Sequence, residues 1–398
     1  MGADVMDGGP IRVVEAARLT AGVLSCQGAP NRSAWPDTAV LLGCAGGVCL
    51  VRNAGDKPMS AGEAKDVRWL IVGGVGGTHV SDSFRRAAAE LGQPCELIDN
   101  TLAYGGSRIA RSLFWRLGHR PTTMGKLDAV VLSAMESHRP TVLFICGVLP
   151  IGPQVIAEAV SRGITVIAWY TDDPWNRHHR NSVVFNSIQH YALVLTPRRA
   201  NINDFYQAGA RRVEYLPFAY DPGHVQPVPT PSDVPPCDLL YVGGGDRDRM
   251  ELLRVLEPLN LDIRLHGGYW HKHPFTAKHN AGQALPAVLA AATRQAKITL
   301  VLVRRENRDG HVMRSYEAAA CGGCLLAEDT AEHRAIYGDT VRYFWNSESL
   351  KQQIATLLGD EGLRQQLRTA AQKRILEGEK QTYKARLIQI ATWCGQFN

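Results

Sequence analysis

The residues most able to do chemistry lie in the run Arg308-Asp309-Gly310-His311-Val312-Met313-Arg314-Ser315-Tyr316-Glu317-Ala318-Ala319-Ala320-Cys321-Gly322-Gly323. Two acids eight positions apart bracket the start of an expected helix. Its free backbone N–H groups and its dipole would make an anion site suited to a diphosphate. Asp309, beside Gly310 and His311, would point at a sugar hydroxyl, and Glu317, about two turns further on, could take a ribose diol with its two carboxylate oxygens. Arg314 and Glu317 could equally be a surface ion pair, but the small residues that follow at once suit tight packing beneath a ligand loop.

A second acidic pair, Asp172-Asp173, stands in Trp169-Tyr170-Thr171-Asp172-Asp173-Pro174-Trp175 at the end of an expected strand. One of the two acids is a candidate catalytic group, while capping of the next helix is the plain alternative, since Asp before Pro commonly does this. The turn Gly243-Gly244-Gly245-Asp246-Arg247-Asp248-Arg249 lets backbone approach phosphate closely. Arg247 or Arg249 would neutralise a leaving diphosphate. An earlier turn, Gly73 to Thr78, offers Gly74, Gly76 and Gly77 to acceptor or donor phosphates. The aromatics of His266-Gly267-Gly268-Tyr269-Trp270 are expected to stack on a base or shape a cleft. His178 and His179 read as solvated surface, and the lone Cys321-x-x-Cys324 reads as small buried residues rather than a zinc or redox site.

The elements that must position these groups recur as strand, glycine turn and helix. Strands are expected at 67–72, 95–98, 141–146, 164–170, 191–195 and 213–216, with helices at 81–91, 127–137 and 151–162 between them. Six prolines between 222 and 236 mark a linker expected to hold no helix and to leave each half its own core. The pattern then restarts, with strands at 238–242, 261–265, 298–303 and 324–327 and helices at 249–256, 285–295 and 312–320. This is α/β architecture: two Rossmann-like doubly wound domains of parallel strands facing across a cleft. The expected division is an N-terminal extension, poorly ordered, over 1–65; an N-terminal Rossmann-like domain over 66–221; the linker over 222–236; a C-terminal Rossmann-like domain over 237–380; and a helix over 381–398 that crosses back to the first domain. Met59 is a candidate alternative start.

Length and composition agree with two domains. The chain has 398 residues, 45% of them hydrophobic and 21% charged, which excludes a disordered polymer or a coiled coil. A net charge of +6 without a block of Lys or Arg does not indicate nucleic acid and suits a phosphate-rich small ligand equally well. Nine scattered cysteines point to reduced thiols and a cytoplasmic location. The longest apolar stretch, Thr38 to Val51, is about 14 residues, too short to span a bilayer. Arg12, Glu15 and Arg18 interrupt any secretory signal.

The segment 309–317 resembles the acid, seven residues, acid motif of retaining GT-B glycosyltransferases, with Asp309 where Glu is usual. The fuller string Arg314-Ser-Tyr-Glu317-Ala-Ala-Ala-Cys-Gly322, followed by an apolar strand and Glu328-Asp329, is similar to the CgeB-like (spore maturation protein) family, glycosyltransferase group 1-like. So is the loop Asp172-Asp173-Pro174-Trp175. The resemblance covers about residues 66–390. It implies a nucleotide-sugar donor bound in the C-terminal domain, an acceptor mainly on the N-terminal domain, retention of configuration, no cofactor and no obligatory metal.

Two other readings stand beside glycosyl transfer. A nicotinamide oxidoreductase would use Gly74-x-Gly76 after a strand and Asp99 at the end of the next, but position 79 is His where the fingerprint needs its third glycine. A non-catalytic nucleotide-sugar binding protein on the same frame would keep the donor site without the acceptor acids. The sugar, base and acceptor are not legible in the sequence.

Overall fold

The computed structural model describes residues 67–226 and 234–395, together with two short strands, β1 (Gly43–Cys44) and β2 (Gly47–Val48), which pair antiparallel within an N-terminal unit spanning Met1–Pro58. The expectations for the extension 1–65 and for a start at Met59 lie outside the described residues. Everything below concerns the second unit, Met59–Asn398.

Its first half is built on β3 (Trp69–Gly73), β4 (Cys95–Asp99), β5 (Val142–Cys146), β6 (Thr165–Trp169), β7 (Leu193–Thr196) and β8 (Val213–Tyr215), all parallel, in the order β4-β3-β5-β6-β7-β8. β3 and β5 are buried at every position, as their unbroken apolar sequences require of strands covered on both faces. The crossovers carry α1 (Val80–Glu90), α2 (Arg108–Arg116), α3 (Met124–His138), α4 (Pro153–Ser161), α5 (Ser182–Ser187) and α6 (Ile202–Gln207). All six strands expected from the sequence are present. α2 was not expected, since its apolar residues pack on nothing that would mark them as core.

The proline-rich stretch does open with a helix, contrary to expectation. α7 (Pro222–Val225) is a single turn capped by the Asp221 carboxylate, which accepts from the Gly223 N–H at 2.9 Å. Pro222 stands at the first helical position, where a missing N–H costs nothing and a fixed φ is an advantage.

The second half repeats the design with β9 (Cys237–Val242), β10 (Ile263–His266), β11 (Asn280–Gly282), β12 (Ala296–Val301), β13 (Leu325–Glu328) and β14 (Arg342–Phe344), parallel in the order β11-β10-β9-β12-β13-β14. The edge strands β11 and β14 are three residues each, too short for a sequence signal. Helices α8 (Arg247–Arg254), α9 (Pro274–Lys278), α10 (Pro286–Gln295), α11 (Met313–Ala320), α12 (Ala331–Tyr337), α13 (Ser347–Gly359) and α14 (Glu361–Leu376) flank it. Gly378, at φ 63°, breaks the chain before α15 (Tyr383–Gly395), which packs back on α1. The Phe84 and Tyr383 rings meet edge to face with centroids 5.1 Å apart.

The two halves do not have separate cores. One apolar cluster runs from Trp69, Phe84 and Trp169 of the first half through Tyr383 and Leu387 of α15 to Tyr316, Ala319 and Tyr337 of the second. The far face of each sheet keeps a cluster of its own.

Both sheets reverse strand order beside their first strand, between β3 and β5 and between β9 and β12. Ligands of open α/β sheets bind in the crevice at such a point. In the second sheet the reversal brings together the 243–246 turn and the 302–312 segment, which leads into α11. That helix is held from behind by buried His333, whose Nδ1 donates to the Glu328 carbonyl at 2.7 Å, while Nε2 accepts from Ser315 Oγ at 2.9 Å.

Burial holds the His333 imidazole neutral, with its pKa lowered from 6.5 to about 4. The unfolded chain therefore binds a proton that the folded chain refuses, and stability falls as pH drops from about 6.5 toward about 4, by up to about 3 kcal/mol. Urea unfolding across this window should show that loss in the wild type. His333→Gln should be less stable at neutral pH but lack this component of the slope; an identical slope in both proteins would assign the loss to other groups.

Candidate active site between the two sheets

From the first half, the loop after β3 brings Thr78, His79 and the start of α1 to the crevice. Gly76 and Gly77 have φ of 76° and 53°, the left-handed region that favours glycine. A Cβ on Gly74 would lie 2.5 Å from the His79 ring. These glycines shape the loop, while Thr78 and His79 are the residues that face the opening.

The loop after β6 supplies the acidic pair, and the structure separates the two acids. Asp173 is 1% exposed and fully engaged: it accepts from the Trp175 N–H at 2.9 Å, from Asn201 Nδ2 at 3.0 Å and from Arg308 Nε at 2.6 Å. Its expected catalytic role is corrected to a structural one, because no oxygen is left to meet a substrate. Asp172 lines the crevice, accepts from Asn307 Nδ2 at 2.8 Å and pairs with Arg304 at 3.2 Å. Desolvation works to raise its pKa, but Arg198, His179, Arg304 and the Asn307 hydrogen bond outweigh it and hold the carboxyl below its usual range. His179 Nε2 stands 3.8 Å from Asp172, so His179 belongs to the site rather than to the solvated surface expected for it.

From the second half come the 243–249 turn and the 304–314 segment. Gly244 and Arg249 line the crevice. Arg249 is buried beneath the turn, donating to the Gly244 carbonyl at 3.1 Å and the Leu302 carbonyl at 3.2 Å, and its Nε has no hydrogen-bond partner among the described residues. Arg247 does not fit the phosphate role expected of it, since its side chain is 84% exposed, pairs with Glu251 at 2.9 Å and does not line the crevice. Trp270 supports the turn from below, donating to the Gly243 carbonyl at 3.0 Å and filling the space a Cβ on Gly245 would need. Tyr269 is exposed, so neither aromatic is seated as a base-stacking platform.

Asp309 is buried and bonded to Arg198, whose guanidinium also donates to the Thr171 carbonyl at 2.6 Å and the Tyr170 carbonyl at 3.2 Å. Burial pushes the Asp309 carboxyl up, Arg198 opposes this, and neighbouring Asp172 adds to it. The two acids of the crevice are thus shifted in opposite directions, Asp172 down and Asp309 up, with Asp309 committed to Arg198. His311 and Gly310 are withdrawn from the crevice. His311 Nε2 accepts from the Phe218 N–H at 3.2 Å and Nδ1 contacts Glu332, while the Gly310 carbonyl accepts from Thr330 Oγ1 at 2.5 Å.

The resulting cavity is about 320 Å³. Arg198, Arg249, Arg304 and Arg314 line it against only two acids, Asp172 and Asp309, and the first turns of α1 and α11 border it as well. This excess of positive charge at helix N-termini suits a diphosphate. Among the described residues no three His, Cys, Asp or Glu side chains group as a metal site.

Arg314 also borders a second, smaller pocket of about 30 Å³, reached past Thr78 and Val242, which line both. Here lies Glu317, which is buried, so its pair with Arg314 is not the surface ion pair offered as the alternative. Its Oε2 is bonded to Arg314, but Oε1 has no hydrogen-bond partner among the described residues and faces His224 Nδ1 at 3.6 Å. Arg86, which has only donors, approaches His224 Nε2 at 2.8 Å, so Nε2 accepts and Nδ1 carries the hydrogen. Thr299 Oγ1, also without a hydrogen-bond partner among the described residues, lines the same pocket. Three polar atoms without a hydrogen-bond partner among the described residues, around one pocket of this size, mark a place for a single small polar group.

Comparison with known proteins agrees with this geometry. Residues 248–392, within the second half, match the model of the glycosyl transferase-like family. Sucrose-phosphate synthase from Thermosynechococcus elongatus superposes with a TM-score of 0.58 at 13% identity, covering 83% of this chain and 99% of that one. The N-terminal domain of trehalose-6-phosphate phosphatase from Candida albicans gives 0.56 at 12%, covering 82% and 97%. Trehalose 6-phosphate synthase from Burkholderia multivorans gives 0.54 at 10%, covering 83% and 99%. The fold is therefore GT-B, two parallel α/β sheets across a crevice, as the sequence led us to expect. No curated protein matches the chain.

Sequence reading missed Arg198, Arg304, Asn307 and His224. None sits in a recognisable motif, and only the strand ends carrying them hinted at their position. Because removing one partner of a buried ion pair strands the other, Arg198→Ala should cost about 3 to 5 kcal/mol in chemical denaturation. Arg247→Ala should stay within about 0.5 kcal/mol of the wild type. Equal losses would mean that the Arg198 pair does not join the halves.

Proposed function

We propose that this chain transfers a sugar from a nucleotide-sugar donor to an acceptor hydroxyl. The observation that carries the reading is the crevice with four arginines and two helix N-termini, one wall of it formed by the half that matches the glycosyl transferase-like family. In this reading the diphosphate lies against Arg249, Arg304, Arg314 and the start of α11, and the ribose stays in the larger cavity with one hydroxyl directed past Thr78 toward Glu317. Arginine and amide groups stabilise the negative charge that develops on the departing nucleoside diphosphate, with no metal required. Asp172, held ionised, accepts a hydrogen bond from the acceptor hydroxyl and orients it or takes its proton. Retention of configuration and the finer likeness to CgeB-like proteins rest on the two sequence motifs alone. The free thiols of Cys95, Cys146, Cys237, Cys321, Cys324 and Cys394 suit a cytoplasmic setting.

A non-catalytic sugar-nucleotide binder would use the same pocket without Asp172. Against the nicotinamide reading, the His79 ring covers Gly74, where a pyrophosphate would need to approach. Asp99 caps its own turn, accepting from the Thr101 N–H at 2.9 Å.

Two measurements test the proposal. Hydrolysis or transfer with a panel of UDP, GDP, ADP and dTDP sugars should reveal turnover, and Asp172→Asn should reduce it by about a hundredfold or more with sugar-donor affinity nearly unchanged. Calorimetric titration of the preferred nucleoside diphosphate should show about tenfold weaker binding by Glu317→Gln, which keeps the shape and a polar group beside Arg314. Undiminished affinity in that variant would remove the ribose assignment, and binding without turnover on any sugar would favour the non-catalytic reading.

A further inference from the structure

Helix α2 has no buried residue, alone among the α-helices of the described residues. Ile109, Leu113 and Leu117, spaced four apart and therefore on one stripe, are 83%, 54% and 63% exposed, with Phe114 and Trp115 exposed beside them. Between Asn100 and Leu127 the sequence has no Asp or Glu but five cations: Arg108, Arg111, Arg116, Arg120 and Lys126. The segment is nevertheless held at both ends. At its base, Thr123 donates from N–H to the Ala103 carbonyl at 2.9 Å, and its hydroxyl accepts from the Gly105 N–H at 2.9 Å. Beyond the helix, Asn181 Nδ2 donates to the His119 carbonyl at 2.8 Å and Arg120 to Ser182 Oγ at 3.2 Å.

We propose that α2 is a membrane-docking helix that lies in the surface of a bilayer containing anionic lipid. At nine residues it is far short of the roughly 20 needed to span. An apolar stripe flanked by arginines, with a tryptophan at its edge, is the composition that enters the boundary between headgroups and acyl chains. Arginines without acidic neighbours add attraction to an anionic surface. A nucleic acid would satisfy the arginines but leave Ile109, Leu113 and Leu117 in water, whereas a bilayer takes up both. Because the Asn181 tether belongs to the stretch that follows the Asp172 loop, docking would bring the acceptor side of the crevice toward the lipid surface. The inference does not depend on sugar transfer and is tested without it.

The full chain should co-sediment with vesicles of equimolar phosphatidylglycerol and phosphatidylcholine and remain in solution with phosphatidylcholine alone. The double variants Ile109→Glu with Leu113→Glu, and Arg108→Glu with Arg111→Glu, should each lower partitioning by about tenfold or more. Their melting temperatures should not move, since these positions are exposed; the milder Leu113→Gln, expected to show a smaller loss in the same direction, guards against misfolding of the double variants. A wild type that ignores anionic vesicles, variants that bind as well as the wild type, or equal binding to neutral vesicles would each overturn the proposal. So would a face that joins two copies, seen as a dimer lost in Leu113→Gln without vesicle binding, or binding to a nucleic acid but not to vesicles.

Discussion

The bond between Arg198 and Asp309 is the constraint on which the site depends. Arg198 ends the loop after β7 and Asp309 precedes α11, so one ion pair joins the catalytic edges of two sheets. Both side chains are buried, and such a pair persists only when its remaining hydrogen-bonding capacity is met. The carbonyls of Tyr170 and Thr171 meet it for Arg198, which also fixes the loop carrying Asp172. The Arg304 N–H, at 3.3 Å, donates to the other oxygen of Asp309 and fixes the segment that carries Arg304 and Asn307.

Around that bond, the acids divide their work by environment. Asp173 engages both carboxylate oxygens with Arg308, Asn201 and the Trp175 N–H, and so serves as a clamp. Asp172, one residue on the other side of the peptide, remains beside the crevice with arginines that keep it charged. The same division appears at 309–317: the first acid has become the partner of Arg198, while the second keeps one oxygen free in a small pocket. Acids of equal sequence prominence thus have unequal chemistry, because their partners differ: Asp173 and Asp309 are committed to arginines across the crevice, while Glu317 keeps one oxygen without a hydrogen bond among the described residues.

The continuous core explains how so polar a crevice keeps its shape. Phe84, Trp169 and Tyr383 lock α15 against the first sheet, and the cluster continues into the alanines of α11. Ala318, Ala319 and Ala320 allow that helix to sit close, which presents its N-terminus and Arg314 to the crevice. A larger residue there would push the anion site away from the arginines across from it.

Alternation of apolar strands with helices determined the two sheets from sequence alone, since buried parallel strands must be apolar on both faces and their spacing forces the crossovers. The same reading located the two acidic segments and the glycine turns, because strand ends are where such folds bind ligands. Strands β11 and β14, too short to carry a pattern, escaped it, as did α2, whose apolar stripe has no core behind it. Tertiary structure alone decided which acids are free, that Arg247 points outward while Arg249 points in, and that Arg198, Arg304 and His224 meet residues about a hundred positions away. Side-chain pairing across a crevice depends on the relative placement of two sheets, and no local pattern in a sequence encodes it.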